Sequence, residues 1–269
     1  MLKSFGDALG REWRQLIVGL LVMAVCVVAI VSFQLPQLRQ FEAEGDATAA
    51  EINQAVEAER LQLQVLQQTP AFGFDNLLSD WAFLRFLQYF GDDVARNKTD
   101  YRLSPDYFEV VIGRNPYFLP AYTFLSTSTS IYAGKPERTI AIAQKGIESL
   151  GPDRPPGSFY ALRQMGIDQL LFLNDAAGAR RSFEMAAEWA RASEAEGSDR
   201  VAELSEQTAE FLANNPDSKF AQIAAWSMVL TTAPDQRTRD TAVERIEAIG
   251  GQIVMQEDGT FSIIPPERD

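Results

Sequence analysis

The strongest hydrophobic pattern is an unbroken apolar run near the N-terminus. Residues 16–33 read LIVGLLVMAVCVVAIVSF, without a charge or a proline. An α-helix of about 20 apolar residues crosses the hydrocarbon core of a bilayer, so the sequence predicts a membrane-spanning helix over residues 16–35. A secretory signal peptide is the alternative. Its apolar stretch is typically about 7–15 residues long and precedes a small-residue cleavage site, which this sequence lacks.

The charges on either side of this run predict its orientation. Lys3, Arg11 and Arg14 precede it, whereas the residues that follow it are mostly acidic between positions 42 and 46. Because basic flanks remain on the cytoplasmic side, residues 1–15 are expected in the cytoplasm. The main domain would then lie in the periplasm or an equivalent compartment such as the thylakoid lumen.

Residues 36–73 are expected to connect the anchor to the rest of the chain. Within them, residues 47–68 are rich in Ala, Glu, Gln and Leu, which are strong helix formers, and Pro70 and Gly73 end the segment. The apolar positions fall roughly on one stripe. The pattern is typical of a solvated spacer helix with one lightly buried face, and a parallel coiled-coil dimer is the alternative.

The segment at residues 75–91, DNLLSDWAFLRFLQYFG, is apolar on nearly all sides. Asp75 is able to cap the start of a helix here and Gly91 to end it. A helix without a polar face has to be covered on more than one side. Two interpretations stay open: a central core helix with its polar residues at the rim, or a helix whose exposed face, with Trp81 and Arg85, meets a protein partner or the bilayer surface.

From residue 105 onward, helical segments of 11–20 residues alternate with short connections rich in proline, glycine and asparagine. This rhythm predicts an all-α array of helical hairpins, which together with the preceding aromatic helix forms one domain over residues 74–250. After a helix that ends at Asn115, the expected helices cover residues 120–133, 139–150, 159–173, 176–195, 199–212, 217–232 and 236–249.

This array resembles tetratricopeptide repeats. In that family small residues let neighbouring helices approach closely, and an aromatic residue fills the remaining gap. The positions that carry the resemblance are Ala179, Phe183 and Ala186 in one second helix, Thr139, Ala143 and Gly146 in another, and Tyr122 and Leu125 in a first helix. The equivalent Thr139 and Ala179 are 40 positions apart instead of the usual 34, so the repeats are irregular. The order of segments also resembles membrane-anchored bacterial members of the superfamily, including cyanobacterial ones.

The resemblance implies a concave face that is lined by first helices and binds a peptide or protein. The residues expected on it are Tyr117, Tyr122, Ser126, Thr129, Tyr132, Tyr160, Arg163, Gln164 and Ile167. Packing between the repeats is the alternative role for these side chains.

The end of the chain departs from the helical pattern. Residues 252–256 and 260–264 are two short β-like runs on either side of a Glu-Asp-Gly turn, which predicts a hairpin and a tail over residues 251–269. Two strands alone are marginal in water. The hairpin is therefore expected to dock against the last helices or to lend an edge to a partner.

Composition narrows the possible chemistry. The chain has 24 basic and 37 acidic residues, no histidine and a single cysteine, Cys26. Its net charge of −13 repels phosphate backbones, so nucleic acid is not an expected partner. The lack of histidine removes Ser-His-Asp and Cys-His nucleophiles and His-ligated zinc. We therefore expect no catalytic residue, no metal and no cofactor.

The sequence thus favours a membrane-anchored, non-enzymatic protein-binding scaffold, or an assembly factor for a membrane or envelope complex. A His-free hydrolase of the periplasm or lumen is one alternative. A structural subunit that self-associates through the helix at residues 75–91 is another.

Overall fold

The computed structural model describes residues 19–28, 30–32, 34, 48–233, 236–255, 261–266 and 269. The chain forms two compact units, Met1–Ile52 and Asn53–Asp269. In the first unit, residues 19–28, 30–32 and 34 are helical and have exposed side chains. Among the described residues, no helix is both long and apolar enough to cross a bilayer. The predicted cytoplasmic segment, residues 1–15, and part of the predicted span lie outside the described residues.

The structure is mostly helical, with a small two-stranded sheet near its end. The helices are α1 (Ala49–Gln68), α2 (Asp75–Gly91), α3 (Asp93–Thr99), α4 (Ser104–Arg114), α5 (Pro120–Leu125), a π-helical segment (Ser126–Tyr132), α6 (Pro136–Ile147), α7 (Phe159–Phe172), α8 (Ala176–Arg191), α9 (Ser198–Asn214), α10 (Lys219–Thr232) and α11 (Gln236–Ala248). The strands are β1 (Gln252–Met255) and β2 (Phe261–Ile264), which pair antiparallel.

Most predicted helices are confirmed, because their ends follow local chemistry. Pro136 lies in the first turn of α6, where a missing N–H costs nothing. The carboxylate of Asp175 accepts the N–H of Gly178 at 2.7 Å and caps α8, and Ser218 caps α10 in the same way. One expected cap is wrong. Asp75 lies inside the first turn of α2, and its carboxylate pairs with Arg114 at 3.1 Å.

The first core is aromatic and surrounds the inner side of α2. Phe86 is fully buried, and its ring lies 4.6 Å from that of Phe108, centroid to centroid, in an edge-to-face arrangement. The rings of Phe83, Phe90 and Tyr107 also pack against the ring of Phe86. This helix therefore contributes to the core as one interpretation of the sequence expected.

Helix α1 packs on this core from residue 53 onward. Val56 and Leu63 are buried. The carboxylate of Glu59 accepts hydrogen bonds from Tyr107 Oη at 2.5 Å and from Arg85 Nη2 at 2.6 Å, which joins α1 to α4 and α2. Residues 53–73, which the sequence assigns to the connecting segment, thus belong to the second compact unit.

A second core fills the C-terminal half. Phe183 and Trp226 are buried there among alanines and larger aliphatic side chains of α7 to α11. A Cβ on Gly166 would lie about 3.0 Å from the ring of Phe183, so this glycine allows α7 and α8 to approach closely. Ile253 and Ile263 of the hairpin pack against this core. The expectation that the hairpin docks on the last helices is confirmed.

The helices pack mainly against their neighbours in the chain, α6 on α7, α7 on α8 and α8 on α9. Other contacts join helices that are not neighbours in the chain, such as α2 with α4 and α7 with α10. One of them involves α11. The guanidinium of Arg237 in α11 lies over the ring of Tyr132 at 4.8 Å and near that of Tyr101 at 5.5 Å. The last helix is thereby tied to the early part of the domain.

Two local features differ from the sequence prediction. The short helix α3 was not expected. The expected α-helix at residues 120–133 changes to a π-helical segment after Leu125, with the N–H of Ala133 bonded to the carbonyl of Ser128 at 3.0 Å. Five successive serine and threonine residues, STSTS, fill this wider turn. Such residues are weak helix formers because their hydroxyls compete for backbone groups.

Candidate functional site

A pocket of about 260 Å³ lies where the π-helical segment, α7, α10 and α11 meet. Its described walls combine hydroxyl-bearing and apolar side chains. The hydroxyl-bearing residues are Thr123, Ser126, Thr127, Tyr160, Thr232 and Thr238. The apolar ones are Ile131, Ile167, Val201, Met228, Val229 and Ala233. Gln164 and Arg163 complete the lining. Mixed walls of this kind suit a ligand with a polar end and an apolar body.

Arg163 supplies the charge of the pocket. It is only 9% exposed, and its guanidinium donates a hydrogen bond to Ser205 Oγ and lies 3.8 Å from Met228 Sδ. Its other close neighbour is the ring of Phe183, at 5.7 Å. Within the described chain no carboxylate lies within ion-pair distance of this guanidinium.

Burial lowers the pKa of Arg163, but a guanidinium in a protein stays protonated at neutral pH. A buried cation without an anionic partner is unfavourable because it has lost hydration. A ligand that brings a negative group next to Arg163 would restore the missing interaction. The electrostatics of the pocket therefore favour an anion.

Ser126 links the pocket to a buried carboxyl group. Its hydroxyl donates to Asp168 Oδ1 at 2.8 Å and accepts from Gln164 Nε2 at 2.8 Å. Asp168 is 1% exposed, and burial raises the pKa of its carboxyl to about 7 although hydrogen bonds from Ser126 and Ser130 oppose the shift. This network fixes the orientation of the Ser126 and Gln164 side chains at the pocket wall.

The π-helical segment explains why so many hydroxyls are buried here. A wider turn lets consecutive residues face the interior, and the side chains of residues 126–130 are all buried. The hydroxyls of Ser130 and Thr139 of α6 are hydrogen-bonded to each other at 2.9 Å. π-Helical turns occur frequently at functional sites. The same local distortion therefore places Ser126 and Thr127 at the pocket.

The pocket offers hydrogen bonds and a positive charge. Among its described lining residues none is acidic, so they supply no pair of carboxylates for general acid–base chemistry. Asp168 is sealed behind Ser126. In the described part of the chain no group of acidic or cysteine side chains is arranged to hold a metal ion.

Five of the residues that the sequence places on a binding face come together in this pocket, and four of them are polar: Ser126, Tyr160, Arg163 and Gln164. Ile167 is the fifth. Tyr160 is the most accessible of them, at 54% exposed. Residues 160, 163, 164 and 167 share one side of α7 because they are three or four positions apart.

The other expected groove residues lie elsewhere. Tyr122 is buried and donates to the carbonyl of Pro116 at 3.0 Å, and Thr129 is fully buried. Tyr132 packs against the rings of Phe90 and Tyr101. These three side chains pack inside the domain, which was the alternative role. Tyr117 is 49% exposed but does not line the pocket.

Trp81 and Arg85, the two expected contact residues of α2, also lie outside the pocket. Arg85 pairs with Glu59 at 2.6 Å, and its guanidinium lies 5.8 Å from the centre of the Trp81 ring. Trp81 is 43% exposed. These two residues form part of a separate surface on the outer side of α2.

Sequence reasoning did not identify several residues of the site. Thr127, Met228, Thr232 and Thr238 come from segments that only the tertiary fold brings together. Asp168 had a recognisable signal, since it is the single acid in the mostly apolar helix FYALRQMGIDQLLF and shares a helix face with Gln164.

Comparison of the chain with protein-family models, with curated proteins and with solved structures finds no match.

Proposed function

We propose that the chain is a membrane-anchored, non-enzymatic protein-binding factor that holds a segment of a partner protein during the assembly or operation of a membrane or envelope complex. Residues 16–35 would anchor it, and the domain from Asn53 onward would bind. The long uncharged run supports the anchor, and its described residues are helical with exposed side chains. The tetratricopeptide-like spacing supports a protein ligand.

The buried Arg163, which has no carboxylate partner in the described chain, carries the binding proposal. An acidic group of the partner segment would accept hydrogen bonds from this guanidinium. Charge-assisted hydrogen bonds are stronger than neutral ones, and more so away from water. Hydroxyls of Thr123 and Thr127 line the same cavity and are able to donate to the remaining oxygen lone pairs.

The apolar walls would hold the rest of the segment. Met228 and Val229 line one side, and Ile131 lies on the π-helical segment. Methionine adapts to ligands of different shape because it is unbranched and polarizable. A volume of about 260 Å³ accommodates one or two side chains rather than a folded element. The preferred ligand is therefore an extended segment that inserts an acidic residue beside an apolar one.

Site-specific photo-crosslinking tests this proposal with a matched pair of tyrosines. Tyr160 lines the pocket and Tyr117 does not, yet both are about half exposed. A benzoylphenylalanine in place of Tyr160 should capture a discrete protein in native membranes, whereas the same probe at position 117 should not. Adding Arg163→Gln should reduce the capture at least about tenfold, since a lost hydrogen bond to a charged group costs about 1.5–3 kcal/mol.

Arg191→Gln provides the control for the change in charge. Arg191 pairs with Glu206 on the surface and does not line the pocket, so this variant should keep the full capture. Equal capture from positions 160 and 117, or full capture by the Arg163→Gln variant, would contradict binding at the pocket.

A further inference from the structure

The outer face of the α1–α2 hairpin is apolar, and no other described residue covers it. We use this name for Leu61 and Val65 of α1, Phe74 at the start of α2, and Leu77, Trp81 and Leu84 of α2. Five of these residues are 61–63% exposed, and Trp81 is 43% exposed. Phe72, in the turn between the two helices, is 87% exposed. Large apolar side chains of a folded domain seldom cluster at the surface in this number.

Helix α2 is apolar on two opposite sides. Ser79, Ala82, Phe86 and Tyr89 are buried against the domain. The outer face lies about half a turn away from them on the same helix. Since the inner side already packs in the aromatic core, the outer side is not required by the fold of one copy. A helix that is hydrophobic all round is normally covered on both sides.

The spacing of the outer residues is that of a helix-packing seam. Positions 74, 77, 81 and 84 alternate by three and four, which is the 3.5-residue repeat with which two helices interlock side chains. In α1, Leu61 and Val65 are four apart and lie opposite the buried Val56 and Leu63. The outer side of α2 therefore has the side-chain spacing that packing against a second helix requires.

The apolar area that these side chains expose is comparable to the area that each partner buries in a specific protein interface. Six large side chains with these exposures present on the order of 700 Å² of apolar surface. A standard interface buries about 800 Å² per partner, whereas the largest apolar patch of a typical monomer is about 300–600 Å². Together the six side chains therefore expose an apolar area comparable to one side of such an interface.

The charges beside the seam disfavour an anionic bilayer as its occupant. Helices that lie on membranes carry basic residues along their polar margin. Here the exposed neighbours include Glu57 and Asp80. Anionic lipid would be repelled.

Asp80 and Arg85 flank the seam on opposite sides and are five positions apart. In a parallel pair of helices this spacing places Asp80 of one copy opposite Arg85 of the other. Asp80 makes no ion pair within the described residues of its own chain, and the side chain of Arg85 is 42% exposed beyond its contact with Glu59. The two flanks of the seam are thus complementary in charge.

We propose that two copies of the chain associate through the outer faces of their α1–α2 hairpins, with the α2 helices parallel and in contact along Leu77, Trp81 and Leu84. The same face is used on both copies, which is the requirement of a two-fold interface. Apolar side chains meet at the centre, and the Asp80 and Arg85 pairs lie at the margin. This association does not depend on the Arg163 pocket.

Disulfide trapping of the full chain tests the proposal. Cys26, the only cysteine, is first replaced by serine, and then Leu77→Cys or Leu84→Cys is introduced. Both positions are more than half exposed, so neither change should disturb the fold. Mild oxidation of freshly lysed cells should give disulfide-linked dimers at both positions, because equivalent seam residues of a parallel pair face each other.

Met185→Cys is the matched control, since Met185 in α8 is 43% exposed and lies away from the hairpin. The dimer fraction at positions 77 and 84 should exceed that of the control at least about tenfold, and Asp80→Lys should lower it. Dimer yields equal to the control would overturn the proposal. A crosslink at one seam position alone would overturn the parallel arrangement. Without crosslinks, quenching by spin-labelled lipid of a fluorophore attached to the Leu84→Cys variant would identify the bilayer as the occupant.

Discussion

The α1–α2 hairpin and the π-helical region distribute their side chains in opposite ways. The hairpin exposes Leu77, Trp81 and Leu84 to solvent. The π-helical region buries residues 126–130, all serine or threonine, together with Asp168. Both depart from the usual arrangement, in which an exposed apolar patch and a buried polar group are the informative exceptions. The contrast separates two kinds of surface, one suited to an apolar partner and one to a ligand that hydrogen-bonds.

The two sides of α2 are expected to differ most in how much a substitution changes the free energy of unfolding. Phe86→Ala should lower the free energy of unfolding by about 3–5 kcal/mol, because it leaves a cavity inside the aromatic core. Leu84→Ala, on the outer face of the same helix, should change it by less than about 0.5 kcal/mol. Urea denaturation of the full chain at low protein concentration measures both values. Similar losses for the two variants would mean that the outer face is already covered within one copy.

The buried carboxyl of Asp168 predicts a dependence of stability on pH. Its pKa is about 7 in the folded state, against about 3.9 in an unfolded chain. Between these values the native state holds a proton that the unfolded chain has released, so the free energy of unfolding falls as the pH rises from about 4 to about 7. The full contribution is present below about pH 4, and up to about 4 kcal/mol is lost above about pH 7.

Asp168→Asn removes this titration while it keeps an acceptor for the Ser126 hydroxyl. The difference in unfolding free energy between the variant and the wild type should therefore increase in favour of the variant as the pH rises through this window. Denaturation of both proteins at several pH values measures the difference, in which the other carboxyl groups cancel. A difference that stays constant from about pH 4 to about pH 8 would show that Asp168 does not retain its proton.

The smallest expected change in the free energy of unfolding concerns the turn between α1 and α2. Phe72 has a φ of 49°, in the left-handed region that bulky residues avoid, and its side chain is 87% exposed. Asparagine adopts this conformation more easily, so Phe72→Asn should raise the free energy of unfolding by about 0.5–1 kcal/mol. Ala58→Asn, at an exposed site within α1, is a control that should lower it instead. A loss of stability with Phe72→Asn would show that the ring has a partner.

The sequence predicted the helical elements well because their ends depend on local chemistry. Asn115 with Pro116 ends α4, and Pro136 opens α6. The two-residue alternation of residues 252–264 was enough for the hairpin. Local sequence could not decide whether α2 is a core helix or a helix with an exposed contact face, because an apolar helix does not show which of its sides a neighbour covers. The structure shows that its inner side lies in the core and its outer side is exposed.

The candidate site was only half predictable. Tyr160, Arg163 and Gln164 were found together because helical spacing alone puts them on one side of α7. Thr129 was assigned to the same face as Ser126, but the wider π-helical turn rotates it into the interior. Thr232 and Thr238 reach the pocket from segments far along the chain from α7, a juxtaposition that no local pattern contains. The tetratricopeptide resemblance stays a prediction.

The contact of Arg237 with the rings of Tyr101 and Tyr132 also bears on how the domain unfolds. In an open array of helices each element touches only its neighbours, and the chain is able to unravel from either end. Here a cation in α11 is stacked on residues that precede it by more than 100 positions, which closes a long loop. Fraying of the last helices would break contacts of the early ones. The domain should therefore lose its structure in one cooperative transition, and its slowest-exchanging amides should be found in both halves.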